Sequence, residues 1–112
     1  MSYAEEIAAS RRLATLLALY FAPGYTLNRA ALRDQVERTG YVVGMDEMIS
    51  ELEWLVSVGL IELVELDVVR LTYRGEDVSI GRIQIAGVRR PLPDQPKASP
   101  KVELSLMPIG GK

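Results

Sequence analysis

The sequence predicts an α+β domain that is mostly helical. The expected order is helix, helix, helix, a two-stranded hairpin and a short helix, followed by an extended Pro-rich C-terminal tail. Three observations predict this. Apolar residues recur at spacings of three and four from Ile7 to Val56. The pattern then changes between Leu60 and Thr72, where Val, Leu and Ile are interleaved with charge. Five of the six prolines lie at 91, 93, 96, 100 and 108. A length of 112 residues suits one domain with a real core. That domain is expected over residues 1–82, with the tail over residues 83–112.

Each element has a local cause. Ser2 and Glu5 form an S-x-x-E capping box, so a helix begins at once. Ile7, Leu13, Leu16, Leu17, Tyr20 and Phe21 follow at helical spacing, alanines raise helix propensity, and Pro23-Gly24 stops the run. Tyr25-Thr26-Leu27 reads as a short extended segment. Asn28 is a good N-cap for a second helix, about Arg29–Thr39, with Leu32 and Val36 inward and Gly40 as its stop. A third helix is expected from about Met45 to Val58, carrying Met48, Ile49, Leu52, Leu55 and Val56 and ended by Gly59. Two strands follow, about 60–65 and 68–72, joined by a tight turn at Leu66-Asp67. Thr72 caps a short helix of about Tyr73–Gly81. Beyond it, Arg89-Arg90-Pro91-Leu92-Pro93 should run close to polyproline II. Val102, Leu104 and Leu106 alternate with polar residues as a terminal strand would.

Composition removes several function classes. Without Cys there is no disulfide framework, thiolate nucleophile or Cys-type zinc site. Without His there is no Ser-His-Asp triad or His-based metal site. The acid pairs Asp46/Glu47 and Glu51/Glu53 fall on a helix surface rather than in a cleft, and no phosphate-binding loop occurs, so no enzyme and no cofactor is expected. The apolar runs are too short for a membrane span. The net charge of −2 conceals segregation. Residues 45–67 carry seven acids (Asp46, Glu47, Glu51, Glu53, Glu62, Glu65, Asp67) and no base, whereas residues 82–112 carry six bases and two acids.

The element order is that of a winged helix-turn-helix domain. The run Leu52-Glu53-Trp54-Leu55-Val56-Ser57-Val58-Gly59-Leu60-Ile61 resembles the end of that fold's third helix and the start of its wing. Leu71-Thr72-Tyr73-Arg74-Gly75 resembles the Leu-Thr-x-x-Gly that leaves the wing in MarR-like and ArsR-like regulators. Taken with Met1–Glu6, Asp77-Val78, Gly81-Arg82 and Gly87-Val88-Arg89-Arg90-Pro91, the chain resembles a family of small winged-helix proteins of Mu-like bacteriophages and prophages. The resemblance covers about residues 1–93. It implies a phage or prophage product in the cytoplasm of a bacterial host cell. ArsR-type metal sensing does not carry over, because its Cys and His ligands have no counterpart here.

Two functional readings follow. In the first the chain is a DNA-binding, transcription-regulator-like module that contacts double-stranded DNA, with phosphate contacts supplied by Arg29, Arg33, Arg38, Arg70, Arg89 and Arg90. Its third helix is then atypically acidic. If Ile49, Leu52 and Val56 face the core, the exposed face holds Asp46, Glu47, Ser50, Glu51 and Trp54, with no base among them. In the second, that same face makes the chain a protein-interaction or phage-assembly module for a basic or aromatic partner surface, carried by Asp46, Glu47, Glu51 and Trp54. Trp54 has an alternative place, half-buried against the hairpin. A homodimer is expected in addition. Ala8, Ala9 and Leu16 of the long first helix are the candidates for its contact, unless they pack on the chain's own core.

Overall fold

The computed structural model describes residues 2–92. The expected terminal strand, and the tail from residue 93 on, lie outside the described residues. Within them the order is α1 (Tyr3–Tyr20), a 3-10 turn (Pro23–Tyr25), β1 (Thr26–Asn28), α2 (Arg29–Arg38), α3 (Met45–Ser57), β2 (Ile61–Glu65), β3 (Val68–Leu71) and α4 (Tyr73–Ser79). The strands form one antiparallel sheet in the order β1-β3-β2, so β3 is central and β2 lies at an edge.

The caps are those the sequence predicts. The Ser2 hydroxyl accepts from the Glu5 N–H, and the Glu5 carboxylate accepts from the Ser2 N–H. That second bond holds the Glu5 carboxyl below its ordinary pKa. Asn28 accepts from the Ala31 N–H at 2.8 Å and starts α2. The turn between β2 and β3 falls at Leu66-Asp67, as expected, although the ladder shifts register between Leu63 and Glu65. Such a bulge twists an exposed edge and weakens it as a pairing template.

Thr72 joins three elements. Its hydroxyl accepts from the Gly75 N–H at 2.9 Å and donates to the Gly59 carbonyl at 2.7 Å. This draws α4 so close to the start of β2 that a Cβ on Gly75 would lie 2.0 Å from the Leu60 carbonyl oxygen. The Leu-Thr-x-x-Gly spacing therefore has a steric cause: only hydrogen fits at its last position.

The core is continuous from Leu13, Leu16 and Leu19 of α1 through Leu32 and Val36 of α2 to Met48, Leu52 and Leu55 of α3, closed by Leu60, Ile61, Val69 and Leu71. Several expectations change here. Phe21 is not inward: it caps the end of α1, is exposed, and meets only the edge of Tyr20. Tyr25-Thr26-Leu27 is not simply extended. Gly24 and Tyr25 both have positive φ, and β1 begins one residue later and pairs with β3. The left-handed Tyr25 is held by stacking on Tyr20 and by donating to Glu76 at 3.2 Å. Burial, with the Glu76 carboxylate beside it, raises the Tyr25 hydroxyl pKa. The chain also does not leave the body at residue 82. Ile85 and Val88 join the core, and the Arg89 N–H donates to the Ala9 carbonyl at 3.2 Å.

Candidate functional site

Helix α3 has two chemically different sides. The inward side carries Met48, Glu51, Leu52 and Leu55, at the spacing that faces one direction on a helix. Glu51 is thus not on the exposed face where the apolar pattern puts it. Its side chain is 4% exposed, and Arg11 of α1 grips it with both ends of the guanidinium, Nε to Oε1 at 2.6 Å and Nη2 to Oε2 at 3.0 Å. These hydrogen bonds raise the Arg11 pKa above the ordinary arginine value.

Arg12 extends the cluster. Its guanidinium lies 4.2 Å over the Trp54 ring and donates from Nη1 to the Gly87 carbonyl at 3.0 Å. Arg12 Nε is buried 3.7 Å from the Glu51 carboxylate, too far for a hydrogen bond, and has no other acceptor. Trp54 is half-buried under this arginine and Gly87, whose hypothetical Cβ would lie 2.9 Å from the ring. The expectation that Glu51 and Trp54 form part of an open acidic face is therefore corrected. They join α1, α3 and the returning segment around Gly87.

The outward side of α3 carries Met45, Asp46, Ser50, Glu53, Val56 and Ser57. Val56, expected inside, is on this side, with Ile49 at its margin. Asp46, Glu47 and Glu53 form no ion pair among the described residues, and Glu47 accepts the Gly44 N–H at 3.2 Å. Glu47 nevertheless helps to raise the Arg11 pKa, and Asp46 and Glu47 line a recess with Arg11, Arg12 and Trp54. The hairpin lies next to this surface. A shallow recess of about 490 Å³ is lined by Met45 and Ile49 of α3, Asn28, Arg29 and Ala30 at the start of α2, and Asp67 of the turn. Leu66, at the tip, is 87% exposed, and Leu63 and Val64 are also largely exposed. The hairpin adds Glu65, likewise without a cation partner among the described residues.

Most of the candidate phosphate-binding arginines are committed within the chain. Arg29 pairs with Asp67, Arg38 with Asp34, and Arg70 with Glu62. Arg33 donates to the Val43 carbonyl at 2.8 Å and lies 3.7 Å from Glu37. None of these four offers an unpaired guanidinium. Arg89 and Arg90 differ: both are exposed, and among the described residues neither meets a carboxylate. Among the described residues, the side chain of Arg89 bonds only the Ser10 hydroxyl, at 3.4 Å.

The dimer contact expected on α1 is also corrected. Leu16 is fully buried and Ala9 nearly so, while Ala8 is half-buried. They do not make a second apolar face, because α1 packs on the core through Ala9, Leu13 and Leu16. The accessible apolar surface of α1 lies instead at Ala14, Leu17, Ala18 and Phe21, which line a groove of about 550 Å³ facing Leu27 and Tyr41. Among the described residues no group of three His, Cys, Asp or Glu side chains is arranged to hold a metal ion. No helix among them is long and apolar enough to cross a membrane.

Comparison with known proteins gives one informative similarity. The chain is 38% identical over 69 residues to the uncharacterized protein gp26 of Escherichia phage Mu, covering 59% of this chain and 72% of that protein. No family profile matches the chain, and no solved structure matches it.

Proposed function

The chain belongs to the family of the phage Mu protein gp26, and from that premise we propose that it is a phage-encoded winged helix-turn-helix module that acts by protein contact. In this reading α3 takes the place of the fold's recognition helix and the β2–β3 hairpin that of its wing. Together they form a docking face for a basic, partly apolar protein surface in the host cytoplasm. In this reading the module needs no cofactor and catalyses no reaction.

One observation carries the reading. The exposed apolar residues Met45, Val56, Leu63, Val64 and Leu66 and the exposed acids Asp46, Glu47, Glu53 and Glu65 all belong to α3 and the hairpin. None of these acids forms an ion pair among the described residues, although Asp46 and Glu47 line a recess with Arg11 and Arg12. A duplex brought to this face would set its phosphates against those carboxylates, and like-charge juxtaposition of this kind costs several kcal/mol. The same charges attract a basic protein, and the apolar residues supply area that leaves water on contact.

Paired titrations test the reading. A labelled random duplex at about 50 mM salt, where non-specific DNA binding is strongest, is expected to give no complex. An arginine-rich peptide with interspersed Leu is expected to bind, and to be lost when Asp46→Asn and Glu53→Gln are combined. A salt-sensitive complex with the duplex, and none with the peptide, would replace this reading by the DNA-binding one.

A further inference from the structure

The docking face rests on the reading just given, and its partner remains to be identified by chemistry. We propose that the partner is a second copy of this chain, whose Arg89–Arg90 segment enters the α3–hairpin face of its neighbour, so that copies associate head to tail.

Charge accounting points first to this segment. Arg11, Arg12, Arg29, Arg33, Arg38, Arg70 and Arg82 each have a carboxylate partner within the chain. Arg74, Arg89 and Arg90 do not, among the described residues. Arg74 is held at its own junction by donating to the Val58 carbonyl at 3.3 Å. Arg89 and Arg90 are consecutive and exposed. Glu6 lines the same shallow recess as these two arginines but comes within ion-pair distance of neither. The acids Asp46, Glu53 and Glu65 lie on α3 and the hairpin and pair with neither of these arginines among the described residues. The chain thus carries two complementary surfaces, and no ion pair joins them within one copy.

The segment is also prepared to bind. Val88 is buried, the Arg89 N–H is tied to Ala9, and the Gly87 carbonyl is tied to Arg12. Pro91 follows and fixes the backbone on the far side. Two cations are therefore presented from an anchored backbone, and little ordering is left to oppose association. Because the two surfaces differ, the contact is heterologous. Each association leaves one face of each kind unfilled, so growth continues unless a ring closes.

Sedimentation velocity of the full-length chain tests this. Species larger than 12.4 kDa are expected at low salt. They should grow with protein concentration and shrink as salt is added. Asp46→Asn with Glu53→Gln, and separately Arg89→Gln with Arg90→Gln, should each weaken association by roughly tenfold or more. Both should keep the wild-type circular dichroism spectrum, with melting points lowered by no more than several degrees. An equal mixture of the two variants should give a one-to-one dimer that grows no further, because only one competent pair of surfaces remains. A wild-type chain that stays at 12.4 kDa would overturn the proposal. So would variants that associate as the wild type does, which would indicate a symmetric contact elsewhere, such as the α1 groove. The arginine-rich peptide separates the two levels. If it binds the wild type but not the Asp46/Glu53 variant while the chain stays monomeric, the docking face stands and the second copy falls. If neither peptide nor second copy binds, both fall.

Discussion

The two sides of α3 carry the same kind of residue in opposite circumstances. Inward, Glu51 is buried and held by two arginines from α1. Outward, Asp46 and Glu53 are exposed and form no ion pair among the described residues, although Asp46 lines a recess with Arg11 and Arg12. The inward acid organises the fold, because it joins α1 to α3 and positions Arg12 against Trp54 and Gly87. The outward acids form no ion pair among the described residues. Acid content alone therefore does not describe the helix. What separates the two sides is whether the acid is buried and paired with a cation from another element.

The largest effect should come from breaking the inward side. Glu51→Leu leaves Arg11 and Arg12 charged beside an apolar residue. Removing one partner of a buried ion pair typically costs about 3–5 kcal/mol. In a domain of this size that lowers the melting temperature by upwards of roughly 10 °C. Urea or thermal unfolding would measure it. Combining Arg11→Met with Glu51→Leu should recover a large part of the loss, since an apolar pair of similar volume is often neutral or better. A double variant no more stable than Glu51→Leu alone would show that Arg12 is the main partner of Glu51.

A middling effect should come from Gly87→Ala. The added methyl group would sit 2.9 Å from the Trp54 ring at a φ of +97°. Both the contact and the backbone disfavour a side chain there, so a loss of about 1–3 kcal/mol is expected. Trp54 is the one tryptophan of the chain. Its fluorescence should therefore report the displacement directly, with Arg12 moved off the ring.

These two positions also show where sequence reasoning stops. Caps and turns were legible because each rests on a residue and its near neighbours: Ser2 with Glu5, Asn28 with Ala31, and Leu66-Asp67 between two apolar strands. The inward place of Glu51 is not legible, because an apolar-periodicity argument has no place for an inward carboxylate. The residue that makes it tolerable, Arg11, lies 40 positions away. The return of Ile85 and Val88 to the core left no signal for a related reason. Two apolar residues among Gly, Arg and Pro have no period, and the acceptor for the Arg89 N–H is a backbone carbonyl in α1. Which apolar residues of α1 face inward is not legible in its own spacing, because the direction depends on where α2 and α3 pack. That placed Ala9 and Leu16 inside and left Ala14 and Ala18 at the groove. For the candidate site, the acidic, base-free character of residues 45–67 is legible in the sequence, whereas the division of α3 into two sides is not.

The smallest effect on stability should come from the outward side, and its smallness is informative. Glu53→Gln removes a charge that pairs with no cation among the described residues, and surface changes of this kind fall within about 0.5 kcal/mol of zero. Asp46→Asn gives up a favourable position in the first turn of α3, which is worth about 0.3–1 kcal/mol. Unfolding curves of the two variants should therefore nearly overlay that of the wild type. If Glu53→Gln instead costs as much as Glu51→Leu, the two sides do not differ and the docking face has no separate identity. If the curves overlay while peptide binding and self-association are lost, the outward acids act in recognition, because folding would be indifferent to them.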